Sequence, residues 1–205
     1  MQTLTTPKTL NQNDNLEQHF YTPEQYLELE EKSELKHEYR NGEIITMTGG
    51  NTNHNEIASN LCTYLKLALK GKKYRVFIAD VRLWIPNFNL YTYPDLMVVE
   101  GEPIYHGQGK RTITNPKIIV EVLSKLTQDY DRGTKFNYYR SIPSFQEYLL
   151  IDQYSYSIEK FAKNSANQWV LTDYQGEDTK LPLDSLNFEF NLLDIYENID
   201  FGNVP

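Results

Sequence analysis

Two short apolar runs, each carrying one carboxylate, constrain this chain more than any other feature. The first is Tyr93-Pro94-Asp95-Leu96-Met97-Val98-Val99 and the second is Asn115-Pro116-Lys117-Ile118-Ile119-Val120-Glu121-Val122. Runs this apolar read as central strands of a sheet covered on both faces. Asp95 opens the first apolar stretch and Glu121 stands near the end of the second. A charge in such a place costs free energy unless it is paired or holds a metal. Taken singly, each has a structural explanation: Asp95 accepts backbone hydrogen bonds at a turn, and Glu121 pairs with a lysine or arginine. Two strands side by side would instead converge both carboxylates on one point. That is how hard oxygen ligands for Mg²⁺ or Mn²⁺ are assembled, and the pair together favours the metal.

The chain of 205 residues, 40% of them hydrophobic, is long enough for one sizeable core and is globular in composition. Its 16 tyrosines suit half-buried strand faces or an interface between subunits, so a homodimer is expected. No apolar run approaches the roughly 20 residues of a membrane span, and Met1–Asn15 is polar, without a basic segment leading into an apolar one. A cytoplasmic protein is expected. The single cysteine, Cys62, excludes an intramolecular disulfide and a Cys-based zinc cluster. It falls in a helical pattern with Ile57, Leu61 and Leu65 and reads as a small buried or half-buried residue rather than a catalytic thiol. The net charge of −8 argues against indiscriminate nucleic-acid binding but leaves room for a local basic groove.

Along the chain, residues 1–20 are rich in Thr, Asn and Gln and read as a mobile tail. Thr22-Pro23-Glu24-Gln25 has the pattern of a capping box, predicting a helix to about Glu31. His37 to Ile45 reads as a β-hairpin turning at Asn41-Gly42. Asn53 to Lys70 carries the longest helical periodicity, with Gly71 as its stop. Strands are expected at Tyr74–Ala79, Arg82–Ile85, Asp95–Val99, Ile118–Val122 and Glu147–Ile151, with a loosely helical stretch at Tyr130–Arg140. Ser157–Phe161 and Trp169–Tyr174 read as a meander hairpin and Leu192–Ile199 as a last short helix. With no repeat or linker visible, residues 21–205 are expected to form one domain.

Pro94-Asp95 followed by Glu121-Val122-Leu123-Ser124 resembles the Uma2 family (DUF820), which is placed with the PD-(D/E)XK nucleases. The likeness runs from about Tyr21 to the C-terminus. It takes in Glu38-Tyr39-Arg40-Asn41-Gly42-Glu43, His54 at a helix opening, Asp131-Arg132-Gly133-Thr134-Lys135 and Glu147-Tyr148-Leu149-Leu150-Ile151-Asp152. It implies an α/β restriction-endonuclease-like core: a mixed central β-sheet flanked by helices, an N-terminal helix-hairpin and a C-terminal β-meander. It also implies a Mg²⁺- or Mn²⁺-dependent endonuclease of DNA, with Asp95 and Glu121 as metal ligands. One position departs from the nuclease motif, which carries a lysine two places after the glutamate. Here that place is Leu123. The resemblance offers Lys135 instead, to orient the attacking water or stabilise the pentacovalent phosphate. The residues alone give Lys135 a plainer reading, an exposed i,i+4 ion pair with Asp131 worth about 0.2–0.5 kcal/mol.

Further candidates surround this set. Glu38 and Glu43 flank the hairpin turn, where solvated side chains are the default, and Glu38 could add a third carboxylate. His54, near a helix N-terminus that favours a neutral imidazole, suits a phosphate contact or the bracing of a ligand. Asp80 is a weaker candidate at a strand end. Lys66, Lys70, Lys72, Lys73 and Arg75 form the main basic cluster, a candidate nucleic-acid contact that Lys110, Arg111 and Lys125 could extend. The rival to an enzyme is a catalytically inactive nuclease-fold module binding DNA or a protein partner, motivated by Leu123 and the acid excess. Whether the substrate is single-stranded, duplex or branched DNA, or RNA, stays open at this level.

Overall fold

Both carboxylated runs become neighbouring strands at the centre of a mixed sheet. The computed structural model describes residues 20–202, so the expected tail lies outside the described residues except for Phe20. The first described element is α1 (Pro23–Glu30), whose Thr22 side chain accepts from the Gln25 backbone while Gln25 reaches back to the Thr22 N–H. The hairpin β1 (His37–Arg40) and β2 (Glu43–Thr46) follows, its turn made by Asn41 and Gly42 at φ 46° and 105°. Positive φ at both central residues is what the Asn-Gly pair tolerates and most others do not. Next come α2 (Thr52–Ala68), β3 (Tyr74–Ile78), β4 (Arg82–Ile85), β5 (Leu90–Thr92) and β6 (Leu96–Glu100). After β7 (Thr112–Ile113) and β8 (Ile118–Leu123), a three-part helical segment crosses over: α3 (Gln128–Tyr130), a π-helical turn over Asp131–Lys135, and α4 (Phe136–Tyr139). The chain closes with β9 (Glu147–Asp152), β10 (Ser157–Lys163), β11 (Trp169–Gln175), β12 (Lys180–Leu183), β13 (Phe188–Asn191) and α5 (Leu192–Ile195).

Six strands form the main sheet in the order β11-β10-β9-β8-β6-β3. Within this sheet β8 and β9 are the one neighbouring pair that runs parallel, and the helical crossover between them supplies the length that a parallel connection needs. A second sheet, β2-β1-β5-β4-β7, sits beside it, and β12 pairs with β13. The result is the mixed sheet flanked by helices that the family resemblance implies. No described helix is long and apolar enough to cross a membrane.

Strand β8 shows why its sequence is apolar on both faces. Ile118, Val120 and Val122 pack with Ile57, Leu61 and Leu65 of α2, while Ile119 and Leu123 belong to a second cluster with Tyr139, Phe145, Tyr148 and Leu150. Cys62 is buried on the α2 side, as its helical position implies. A third cluster stacks Tyr26, Tyr39 and Tyr91 between α1 and the second sheet. Their hydroxyls are satisfied internally: Tyr26 donates to the His37 carbonyl at 2.7 Å and Tyr39 to the Tyr21 carbonyl at 2.9 Å. These tyrosines build core within the chain rather than a face for a second subunit.

Glu147 on β9 is a buried charge of a different kind. Its Oε1 accepts from the Ser185 N–H at 2.9 Å, but its buried Oε2 has no hydrogen-bond partner. Burial raises its pKa, against the Ser185 N–H and the Lys160 ammonium. A carboxylate whose folded pKa exceeds its unfolded value lends stability at low pH and loses it as pH rises through the folded pKa. Glu147→Gln is therefore expected to gain stability relative to the parent between pH 4 and pH 8. Urea midpoints at the two pH values test this, and a difference that does not move with pH rules it out.

Candidate active site

The antiparallel register of β6 on β8 pairs Leu96 with Val120, so Asp95, one step out, stands across from Glu121. Both line one cavity at the end where β6 begins and β8 finishes, close enough for the Asp95 charge to act on Glu121. Asp95 Oδ2 accepts from the Val122 N–H at 2.7 Å and lies 3.2 Å from His54 Nε2. His54 comes from the first turn of α2, whose cap is the Asn51 side chain accepting from the His54 N–H at 2.9 Å. Gly50 leaves the space for this ring, since a Cβ there would come within 2.6 Å of His54 Nδ1. The helix N-terminus favours a neutral imidazole, and burial lowers the His54 pKa further. The hydrogen bond and charge of Asp95, with Asp131 behind it, outweigh both and raise it.

Glu121 is 3% exposed. Tyr139 donates its hydroxyl to Glu121 Oε1 at 2.6 Å, and Lys135 Nζ lies 3.0 Å from the same oxygen. Burial, reinforced by Asp95 and Asp131 against the opposing Lys135 charge, pushes the Glu121 carboxyl up to about 8. Leu123 lies on the same face of β8 as Glu121, yet it is buried against the aromatic cluster. The motif's lysine position is thus filled by core, and the ammonium beside Glu121 is that of Lys135.

It arrives through the π-helical turn Asp131–Lys135. Such turns occur mostly as single wide turns inside helices, frequently at functional sites, because they re-aim side chains. Here Asp131 and Lys135 both point into the protein, their side chains only 3% and 8% exposed. Lys135 Nζ lies 2.9 Å from Asp131 Oδ1. The expected exposed surface pair is therefore a buried one. Asp131 Oδ1 accepts no well-aligned hydrogen bond despite that proximity, leaving a buried carboxylate oxygen under-coordinated. Burial works against the Lys135 charge, but Glu121, Asp131 and Glu38 outweigh it and hold its pKa well above the ordinary lysine range.

Asp95, Glu121, Asp131, Lys135 and His54 all line one cavity of about 420 Å³. The other candidates stand outside it. Glu38 is buried, not solvated, and its carboxylate takes bonds from the Thr92, Tyr130 and Arg40 side chains behind Lys135. Glu43 opens β2 opposite Arg40. Asp80 is exposed and paired with Lys36 at the rim. Lys66, Lys70, Lys72, Lys73 and Arg75 are exposed around the far end of α2. Lys66 lies about 18 Å along the helix axis from His54, at 1.5 Å per residue. Arg75 faces Glu102 at 3.5 Å, and Arg111 faces Glu31 at 3.6 Å. Lys110 is exposed, and Lys125 lies over the Tyr154 ring, next to Ser124 of the cavity wall. Tyr139, which reaches Glu121 from α4, and the burial of Asp131 in the π-helical turn were not legible from spacing.

Among the described residues, no group of three or more His, Cys, Asp or Glu side chains is arranged to hold an ion. Mg²⁺ asks for less: one or two carboxylates, the rest being water and substrate oxygen. Asp95 and Glu121 supply that number as hard oxygen donors. The under-coordinated Asp131 oxygen and three acids around one lysine add an excess of negative charge that a cation would relieve. The residues fit such an ion.

The family model of Uma2, described as "Putative restriction endonuclease", matches residues 23–195. Two uncharacterised proteins of Synechocystis sp. (strain ATCC 27184 / PCC 6803 / Kazusa) are similar. One is 41% identical over 160 residues, covering 78% of this chain and 90% of its own length. The other is 37% identical over 180 residues, covering 88% of this chain and 93% of its own. A DUF820 protein of Anabaena variabilis ATCC 29413, solved by crystallography at 1.96 Å, superposes with a TM-score of 0.70 at 20% identity, over 86% of this chain and 97% of that one. At that identity the likeness is one of fold. With the family model spanning nearly all of the described chain, this protein belongs to the Uma2 (DUF820) family, whose fold is that of the PD-(D/E)XK nucleases.

Proposed function

We propose that this chain is a divalent-cation-dependent endonuclease of DNA, with Asp95 and Glu121 holding Mg²⁺ or Mn²⁺ and Lys135 assisting the attacking water. The observation that carries this reading is the meeting of Asp95, Glu121 and Lys135 in one cavity, with Lys135 Nζ 3.0 Å from Glu121 Oε1. A lysine absent from its usual place is thereby supplied from another element. The bound cation would polarise the phosphate and lower the pKa of its water. The chain's own residues do the rest. Tyr139 fixes the Glu121 carboxylate, while the Val122 N–H and His54 fix that of Asp95. Lys135, kept charged by its carboxylate neighbours, presents N–H donors where negative charge gathers on the phosphoryl oxygens. Burial keeps competing water away from that ammonium.

Titration calorimetry with Mn²⁺ tests the ligand assignment. The wild-type chain is expected to bind one ion, and Glu121→Gln to weaken that binding at least about tenfold, since one of two charged donors is lost. A wild-type protein that binds no Mn²⁺ yet retains DNA or a protein partner would instead establish the inactive module that Leu123 suggests.

A further inference from the structure

The walls and mouth of this cavity bear on which form of nucleic acid it admits. Glu121 and Lys135 are 3% and 6% exposed at its floor. One wall is the stretch Glu34–Lys36 beside Met47–Gly50, tied together by the Met47 N–H donating to the Lys36 carbonyl at 2.9 Å. This wall is fastened to the end of β3, because Lys36 Nζ donates to the Ala79 carbonyl at 3.3 Å and pairs with Asp80. Ser124 and Thr127 form a second stretch of the lining. A duplex keeps its phosphates on the outside of a rod that is stiff over about 150 base pairs. An unpaired strand, which bends at each phosphodiester, brings one phosphate to the floor of a cavity of about 420 Å³ with less distortion than such a rod.

The chemistry of the rim agrees. Leu35, on the first wall, is 61% exposed; Leu126, between Ser124 and Thr127, is 86% exposed; Tyr154, under Lys125, is 37% exposed. Large exposed apolar side chains in and next to the cavity lining suit unstacked bases, whose apolar faces stack on rings such as Tyr154 without sequence preference. A duplex hides those faces. Duplex binding draws on many phosphate contacts, whereas near this mouth stand Lys36, already paired with Asp80, and Lys125, with Glu34 also in the wall. The larger basic cluster lies at the other end of α2.

We infer that the substrate is an unpaired strand, threaded along this lining with its bases against Leu35, Leu126 and Tyr154. This inference rests on the nuclease reading for its purpose but is tested by binding apart from it. Fluorescence anisotropy of the full chain in EDTA would compare a labelled 20-nucleotide oligothymidylate with a labelled 20-base-pair duplex. The single strand is expected to bind at least about tenfold more tightly. Leu126→Ser and Tyr154→Ser are each expected to weaken that binding about tenfold, as loss of a stacking platform does. Their melting temperatures should not move, because these side chains are exposed. Equal or tighter duplex binding overturns the inference, as do variants that bind the strand like wild type. In parallel, both probes are incubated with Mn²⁺. Strand preference without cleavage leaves this inference standing and removes the nuclease reading; cleavage of the duplex in preference to the strand does the reverse.

Discussion

Replacing Lys135 by methionine is expected to cost the fold about 3–5 kcal/mol, the range for removing one partner of a buried ion pair. Methionine keeps most of the stem's volume, so the loss is one of charge. Glu121 and Asp131, 3% and 2% exposed, would be left in the interior without their counter-ion. For a chain of this size the melting temperature should fall by roughly 6–20 °C. The exposed pair expected from sequence would cost about 0.2–0.5 kcal/mol, so the measurement separates the two environments by about tenfold in energy. Two further melts sharpen it. Asp131→Asn should destabilise the wild-type background but recover part of the loss in the Lys135→Met background, a non-additivity that reports shared charge. Millimolar Mn²⁺ should recover part as well, since an ion that binds only the folded site stabilises it by mass action. A Lys135→Met protein within about 1 kcal/mol of wild type would mean that these groups are solvated, and would remove the ammonium from the argument.

Much of this architecture was legible because local signals and tertiary demands agree. The capping box at Thr22, the Asn41-Gly42 turn, and the apolar spacing from Ile57 to Leu65 each specify their element without reference to distant residues. The strands that sequence does not announce are β5, β7, β12 and β13, of two to four residues each, too short for any alternation to register. Likewise the last helix ends at Ile195 rather than continuing to Ile199. In the site, Asp95 and Glu121 were legible because charges in continuous apolar strands demand an explanation. Lys135 was legible only through family resemblance, since a π-helical turn leaves no mark in spacing. Glu38 was misjudged from its neighbours: a hairpin flank looks solvated, but Thr92 on β5 and Tyr130 on α3 cover it. The basic cluster shows the converse, a strong charge signal that the length of α2 carries away from the cavity.

Asp95→Asn is expected to lower Mg²⁺-dependent cleavage by about 10³-fold, at the upper end of what losing one preorganised electrostatic contact costs. Asparagine is the informative replacement because it is nearly isosteric. Its carbonyl oxygen can still accept from the Val122 N–H, now held at 2.7 Å by Asp95 Oδ2. The bond loses its charge assistance, so the fold should weaken by only about 1 kcal/mol. Alanine would leave that N–H unpaired and confuse a stability loss with a chemical one. The contact with His54, 3.2 Å away, also persists in geometry while losing its ionic character. What disappears is the negative charge of one of the two carboxyl groups that share the cavity. The expected outcome is thus a folded protein, melting within a few degrees of wild type, that no longer cuts an unpaired strand in Mg²⁺. Cleavage at the wild-type rate by this variant would exclude Asp95 from the chemistry. The convergence of the two carboxylates would then have to be read as a structural ion network centred on Lys135.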